Sequence, residues 1–223
     1  MSDTGQRWQQ MRKQVPEDVE LVAVSKFHPA SQLLSVYEAG CRVFGESRVQ
    51  ELCAKHEALP KDIAWHFIGH LQPNKVKYIA PFVSLIHAVD TPKLLTEVNK
   101  RGLLNDRCIP CLLQVHIAQE ETKFGFTPEE LTAFLAEGSW RELRGVSIQG
   151  LMCMATNTDD MLQVRQEFAR VLSLFQELKQ RFFADNSEFA IRSYGMSHDW
   201  REAIGEGSNM VRIGTAIFGE RTV

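Results

Sequence analysis

No apolar stretch in this sequence approaches the ~18 residues that a membrane-spanning helix requires. The opening residues, MSDTGQRWQQMRKQVPEDVE, contain no apolar core of a secretory signal. Cysteine is scarce: five residues, at 41, 53, 108, 111 and 153, are too few and too irregularly spaced for a disulfide framework. These absences set the expectation of a cytoplasmic protein with no membrane partner. With 14 Gly and 8 Pro in 223 residues, collagen-like and low-complexity chains are excluded. Charge of one sign is also missing, since 25 Lys+Arg face 28 Asp+Glu for a formal net charge of -3. A nucleic acid or an anionic surface is therefore not an expected general partner. What the chain does have is 44% hydrophobic residues, enough at this length to bury a substantial core.

Short apolar runs alternate with stretches of helical periodicity. The runs are Leu21-Val22-Ala23-Val24, Arg42-Val43-Phe44, Trp65-His66-Phe67-Ile68, Leu85-Ile86-His87-Ala88-Val89, Cys111–Ile117, Gln149-Gly150-Leu151-Met152, Phe189-Ala190-Ile191-Arg192 and Met210-Val211-Arg212-Ile213. Helices are predicted between them over 29–40, 48–58, 73–80, 92–101, 127–137, 159–183 and 199–205, with a leader helix before the first strand. Pro29, Pro73, Pro92 and Pro128 suit the first turn of a helix, where a missing N–H costs nothing, and Thr91 and Thr127 are placed as N-caps. Continuously apolar strands imply a parallel sheet buried on both faces. Eight strand–helix units predict an α/β fold, a (β/α)8 TIM barrel at the small end of its range. A doubly wound open sheet is the alternative. No linker or repeat divides the chain, so a single barrel domain over 1–223 is expected, with a leader helix within 1–20 packing on the barrel.

Three segments could carry chemistry. Lys26 ends the first strand, at the barrel end where active sites form. Partial desolvation would disfavour its ammonium and suit it to Schiff-base chemistry, whereas the bland alternative is a lysine snorkelling into solvent. The run from Gly205 to Gly219 takes the eighth strand into Gly214-Thr215 and a short helix. Exposed N–H groups at such a turn make an anion site, though an ordinary strand–helix turn would read the same. After the seventh strand, Ser193-Tyr194-Gly195-Met196-Ser197-His198-Asp199 offers the Ser197 hydroxyl to the same anion. Asp199 could cap the following helix, and Ser197 could equally be an N-cap without a ligand.

Other signals carry less. Cys108-x-x-Cys111 has no second pair and precedes a strand, which argues against zinc or redox chemistry. His66, His70 and His87 share no ligand spacing and read as buried, hydrogen-bonded histidines. The stripe Met161, Val164, Phe168, Val171, Leu172, Phe175 and Leu178 reads as a helix packed on the barrel.

Taken in order, Ala23-Val24-Ser25-Lys26, Phe44-Gly45-Glu46, Trp65-His66-Phe67-Ile68-Gly69, Leu71-Gln72, Asn74-Lys75, Gly150-Leu151-Met152, Gly195-Met196-Ser197 and Met210–Gly219 resemble the pyridoxal phosphate (PLP) homeostasis protein family. The resemblance runs from about Leu21 to Arg221. It implies a fold-type III PLP barrel like the N-terminal domain of alanine racemase. By motif position Lys26 would be the Schiff-base lysine, Ser197, Gly214 and Thr215 would hold the phosphate, Arg212 would face the pyridine nitrogen, and Met196 would lie close to the cofactor. The family often has Gly-Glu-Asn-Tyr where this chain has Gly45-Glu46-Ser47-Arg48, so an Asn contact is not carried over.

An arginine facing the ring can only donate, which keeps the nitrogen unprotonated and the ring a poor electron sink. The resemblance also implies a barrel without the second domain from which a racemase draws its tyrosine base. Tyr37, Tyr78 and Tyr194 are the only tyrosines, and none occupies that context. The alternative role for Arg212 is an ion pair with Glu46 or Asp90. The expected function is a PLP-binding protein that buffers or delivers the cofactor with little or no turnover. A PLP-dependent racemase-like enzyme is the alternative, and a PLP-free aldolase using Lys26 is disfavoured by Arg212. Expected partners are PLP and either PLP-dependent apoenzymes or a regulatory protein, and the chain is expected to be a monomer.

Overall fold

Each of the eight expected strands forms, and their parallel pairing closes on itself in sequence order. The computed structural model describes residues 2–119 and 124–220, so Arg221, the end of the resembling stretch, lies outside the described residues. The strands are β1 (Glu20–Val24), β2 (Val43–Glu46), β3 (Ala64–Phe67), β4 (Leu85–Val89), β5 (Ile109–Val115), β6 (Val146–Cys153), β7 (Ile191–Ser193) and β8 (Met210–Ile213). The helices are α1 (Asp3–Gln14), α2 (Ala30–Glu38), α3 (Val49–Ala58), α4 (Val76–Ile79), α5 (Pro92–Leu104), α6 (Pro128–Glu137), α7 (Met161–Phe182), α8 (Trp200–Gly205) and α9 (Thr215–Phe218). An open doubly wound sheet is ruled out by β1 pairing with β8, where Glu20, Leu21, Val22 and Ala23 lie opposite Met210, Val211, Arg212 and Ile213.

Several ends differ from the sequence expectation for local reasons. Pro29 is the N-cap of α2, just outside it. The segment expected as one helix over 73–80 splits into a 3-10 turn at Pro73–Lys75 and the single turn of α4. β7 starts later than its apolar run, because Phe189 turns away from the sheet to stack on Phe175 and Phe183. Thr91 and Thr127 cap α5 and α6 as expected, and Thr127 forms a capping box with Glu130. The leader helix α1 packs against α2 and α9, with Met11 buried.

Strand alternation sorts the apolar residues into two clusters. Trp65, Phe67, Val211 and Ile213 face outward into the layer between barrel and helices. Val22, Leu85, Leu112, Met152 and Met210 point inward and fill the lower barrel. Two positions beyond Leu85, Leu112 and Met210 the inward residues are polar, His87, Gln114 and Arg212, and with Ser193 and His66 they are all buried. A dry apolar plug thus carries a polar floor at the C-terminal mouth.

The pairing of β5 with β6 steps by one residue at Gly150, where φ is +151° and an added Cβ would fall 1.9 Å from the Ile191 carbonyl oxygen. Gly150→Ala is expected to cost about 2–4 kcal/mol, through strain and a backbone clash. Gly138→Ala, at φ +79° with open space around the new methyl, should cost only about 1 kcal/mol. Urea unfolding of the two variants measures the difference.

Candidate functional site

Lys26 stands half-buried two residues past the end of β1 and its pairing with β2. The next residue, Phe27, has φ +69°, a left-handed conformation unusual for a bulky side chain. A buried cation holds this turn in place. Lys55, reaching up from α3, donates to the Ser25 carbonyl at 2.8 Å, to Glu46 Oε1 at 2.6 Å and to Glu51 Oε2 at 3.3 Å. The same Glu51 oxygen accepts from the Phe27 N–H at 2.8 Å, and Ser25 Oγ donates to Glu46 Oε1 at 2.6 Å. The peptide groups on both sides of Lys26 are therefore pinned to one charge network. Burial pushes the Glu46 carboxyl up, and the Lys55 ammonium opposes that shift. Arg48, where the family often has Tyr, covers the turn from outside, its guanidinium 4.5 Å from the Phe27 ring centre.

The anion-binding turn forms where expected. β8 runs into Gly214 and the single turn of α9, whose first N–H groups have no intrahelical acceptor. Ser197 Oγ accepts from the Gly214 N–H at 3.3 Å, which joins the loop after β7 to the turn after β8. Thr215 is exposed at the rim, and Met196 and Ser197 are half-buried. A Cβ on Gly214 would lie 3.0 Å from the Val24 carbonyl oxygen, so this turn rests directly against the end of β1. Ser197 is not an N-cap. Asp199 holds the N-cap position of α8 but makes no cap bond, because its carboxylate accepts instead from the Met196 N–H at 2.6 Å.

Arg212 lies below both turns, 4% exposed. The alternative ion pair with Glu46 or Asp90 is overturned: Glu46 is taken by Lys55, and Asp90 by His70 at 2.7 Å. Arg212 donates instead to the Ser193 carbonyl at 2.6 Å, Ser193 Oγ at 2.7 Å and the Cys153 carbonyl at 2.9 Å. Ser193 Oγ is also 3.0 Å from His87 Nδ1, and His87 Nε2 is 3.0 Å from His66 Nδ1. Burial pushes His66 down to about 4, and burial with the nearby His66 and Arg212 pushes His87 well down.

The six predicted residues thus converge on one mouth, with Lys26, Met196, Ser197, Gly214 and Thr215 around its rim and Arg212 in its floor. Sequence reasoning missed the Glu46–Lys55–Glu51 clamp, although Glu51 and Lys55 are spaced i,i+4 on a predicted helix. It also missed Ser193 as the link to the histidines. His70 does not join His66 and His87 but stacks on Phe124 at 3.9 Å. Cys108 is exposed and Cys111 buried, its thiol pushed up by burial. No tyrosine reaches the mouth: Tyr37 bonds Asp62, Tyr78 lies near Lys75 and Lys77, and Tyr194 is buried against Phe168. Among the described residues no three His, Cys, Asp or Glu side chains are grouped to hold a metal.

Residues 3–222 match the family described as the alanine racemase N-terminal domain. The chain is 40% identical over 203 residues to the pyridoxal phosphate homeostasis protein of Aquifex aeolicus, covering 91% of this chain and 87% of that one. It is 38% identical over 206 residues to the protein of the same name from Haemophilus influenzae, covering 91% and 85%. Among solved structures, PipY of Synechococcus elongatus without PLP superposes with a TM-score of 0.91 at 35% identity, over 97% of this chain and 100% of that one. PipY with PLP bound gives 0.88 at the same identity. Alanine racemase of Clostridium difficile, at 12% identity and a TM-score of 0.76 over 57% of its length, shows the shared fold alone.

The floor histidines make stability pH-dependent. Their folded-state affinity for protons is depressed, so the unfolded chain binds more protons below pH 6.5 and folding is penalised there. Stability is expected to be full above pH 6.5 and to fall toward pH 4, by about 3 kcal/mol for His66 alone. Urea unfolding across that window, with His66→Gln losing most of its share of the slope, checks the sign and size.

Proposed function

The chain belongs to the pyridoxal phosphate homeostasis protein family, and we propose that its barrel mouth binds PLP to buffer and deliver it rather than to turn over a substrate. The observation that carries this reading is the convergence of three kinds of donor on one opening: the Lys26 amine, the Ser197–Gly214–Thr215 turn, and a buried guanidinium. They match the aldehyde, phosphate and ring nitrogen of PLP in chemistry. The solved relative with PLP bound supports the same reading.

Bound PLP supplies an aldehyde that bonds reversibly to a primary amine and a ring that accepts electron density from what is attached. The chain's own residues do the rest. The clamp of Glu46, Lys55 and Glu51 orients the Lys26 turn before a ligand arrives. First-turn N–H groups of α9, with the Ser197 and Thr215 hydroxyls, provide donors for a phosphate at the solvent-facing rim. Arg212 offers donors to the ring end and, as an arginine, keeps its own proton. Its direct hydrogen bonds go to neutral oxygens, and the nearby buried Asp199 carboxylate favours its charged form, so N–H groups remain to meet a ligand rich in acceptors. Binding and release need no proton-transfer base on a second face, and the three tyrosines supply none at the mouth.

Two experiments test this reading. Protein incubated with PLP and reduced with borohydride is expected to carry the label on the peptide containing Lys26; label on Lys75 instead would reject the assignment. Thr215→Val is expected to weaken PLP by ~1.5–3 kcal/mol, about ten- to a hundredfold in Kd, while leaving pyridoxal nearly unchanged. Titrations with both ligands decide it, and an equal loss for both would show that Thr215 does not serve the phosphate.

A further inference from the structure

The polar floor beneath the mouth contains a chain of four side chains from four different strands: Arg212 on β8, Ser193 on β7, His87 on β4 and His66 on β3. We propose that Ser193 and His87 are positioning residues, which with His66 form a hydrogen-bond chain of fixed direction that sets how Arg212 presents its guanidinium to the ligand's ring. The proposal rests on the assignment of Arg212 to the ring end of PLP.

The direction follows from donor counting. Arginine carries only donors, so at 2.7 Å it donates to Ser193 Oγ. The serine oxygen then holds one hydrogen of its own, and the acceptor within reach of it is His87 Nδ1 at 3.0 Å. That nitrogen is therefore bare. A neutral imidazole with a bare Nδ1 carries its hydrogen on Nε2, which faces His66 Nδ1 at 3.0 Å and donates to it. His66 in turn carries its hydrogen on Nε2. Every link is used once, and the reverse direction, with Ser193 Oγ accepting from both Arg212 and His87, would leave the buried hydroxyl hydrogen without an acceptor. Burial of Ser193 and His87 (both 0% exposed) removes water as a competing partner and keeps both rings neutral.

The consequence falls on Arg212. Three of its five N–H groups are fixed by Ser193 and the Cys153 carbonyl, which spans β6 to β8 across the short β7. Without the serine hydroxyl the guanidinium loses the one contact that ties it to the opposite side of the barrel, where β3 and β4 lie. The Ser193 and Cys153 carbonyls hold it only along the β6–β8 arc. The histidines thus act at a distance, by fixing which way the Ser193 hydroxyl points.

Nitrogen-15 NMR of the imidazoles in protein without PLP reads the chain directly. His87 and His66 are both expected as neutral Nε2–H tautomers, and Ser193→Ala is expected to release His87 into a mixture of tautomers. In PLP and pyridoxal titrations, Ser193→Ala should weaken both ligands by the same factor, about tenfold. That pattern differs from the phosphate-selective loss at Thr215. His87→Gln keeps one acceptor and one donor and should bind both ligands within about twofold of the parent, whereas His87→Leu should match Ser193→Ala. If His87→Leu does not fold, Ser193→Ala and His87→Gln decide. A proton on His87 Nδ1 in the parent, or unchanged binding of both ligands by Ser193→Ala, overturns the proposal. Failure of the parent to bind PLP at all would reject the functional reading instead, while the tautomers would still report whether the chain exists.

Discussion

The hydrogen bonds between β1 and β8, with Glu20 opposite Met210 and Ala23 opposite Ile213, join the two ends of the sheet, and the mouth depends on that closure. They place the Lys26 turn beside Gly214, whose backbone packs on Val24 with no room for a side chain larger than hydrogen unless the neighbours shift. They also place Arg212 level with Val22, one layer below. An edge strand at either position would separate the amine from the phosphate turn by the width of the sheet. Closure converts residues nearly two hundred positions apart into neighbours on one rim, and parallel strands put all eight C-terminal ends on the same side.

Charge is distributed at this mouth in two opposite ways. Under Lys26, the buried Lys55 is matched by Glu46 and Glu51, and their hydrogen bonds are spent on holding the backbone. Removing one partner of such a pair would leave an uncompensated buried charge, which is why the network fixes one conformation of the turn, the left-handed Phe27 included. In the floor, Arg212 hydrogen-bonds only to neutral oxygens among the described residues, with the Asp199 carboxylate acting on it from a distance. The first arrangement pairs its cation without a ligand, all its bonds to Glu46 falling on Oε1. The second has no hydrogen-bonded anion, and a buried guanidinium with N–H groups left over favours acceptors from the open side.

The strands and helices were legible because their signals are local. Thr127 with Glu130 announces the start of α6 three residues apart, and continuous apolar runs such as Leu85–Val89 announce strands buried on both faces. Boundaries failed where a distant contact intervened. Phe189 belongs to β7 by its neighbours in sequence, yet it leaves the sheet because Phe175 and Phe183 offer stacking partners. The loop after β7 misled in the same way: Asp199 has the residue type and position of a cap, and its carboxylate turns back to the Met196 N–H.

Residue order alone specified the number of strand–helix units, the position of Lys26 at a strand end and the Gly214-Thr215 turn, since each depends on chemistry within a few residues. The family resemblance then supplied the six residues assigned to the mouth. Which side chains Arg212 would meet was not legible. Glu46 and Asp90 were reasonable partners by charge, but each found a closer partner, Lys55 and His70, on elements that only folding brings near. The inward alternation of β3, β4, β7 and β8 then left Ser193, His87 and His66 as the buried groups around the guanidinium. Strand parity is written in the sequence, but the stagger that sets four strands at one height arises from barrel closure, so the polar floor exists only in three dimensions.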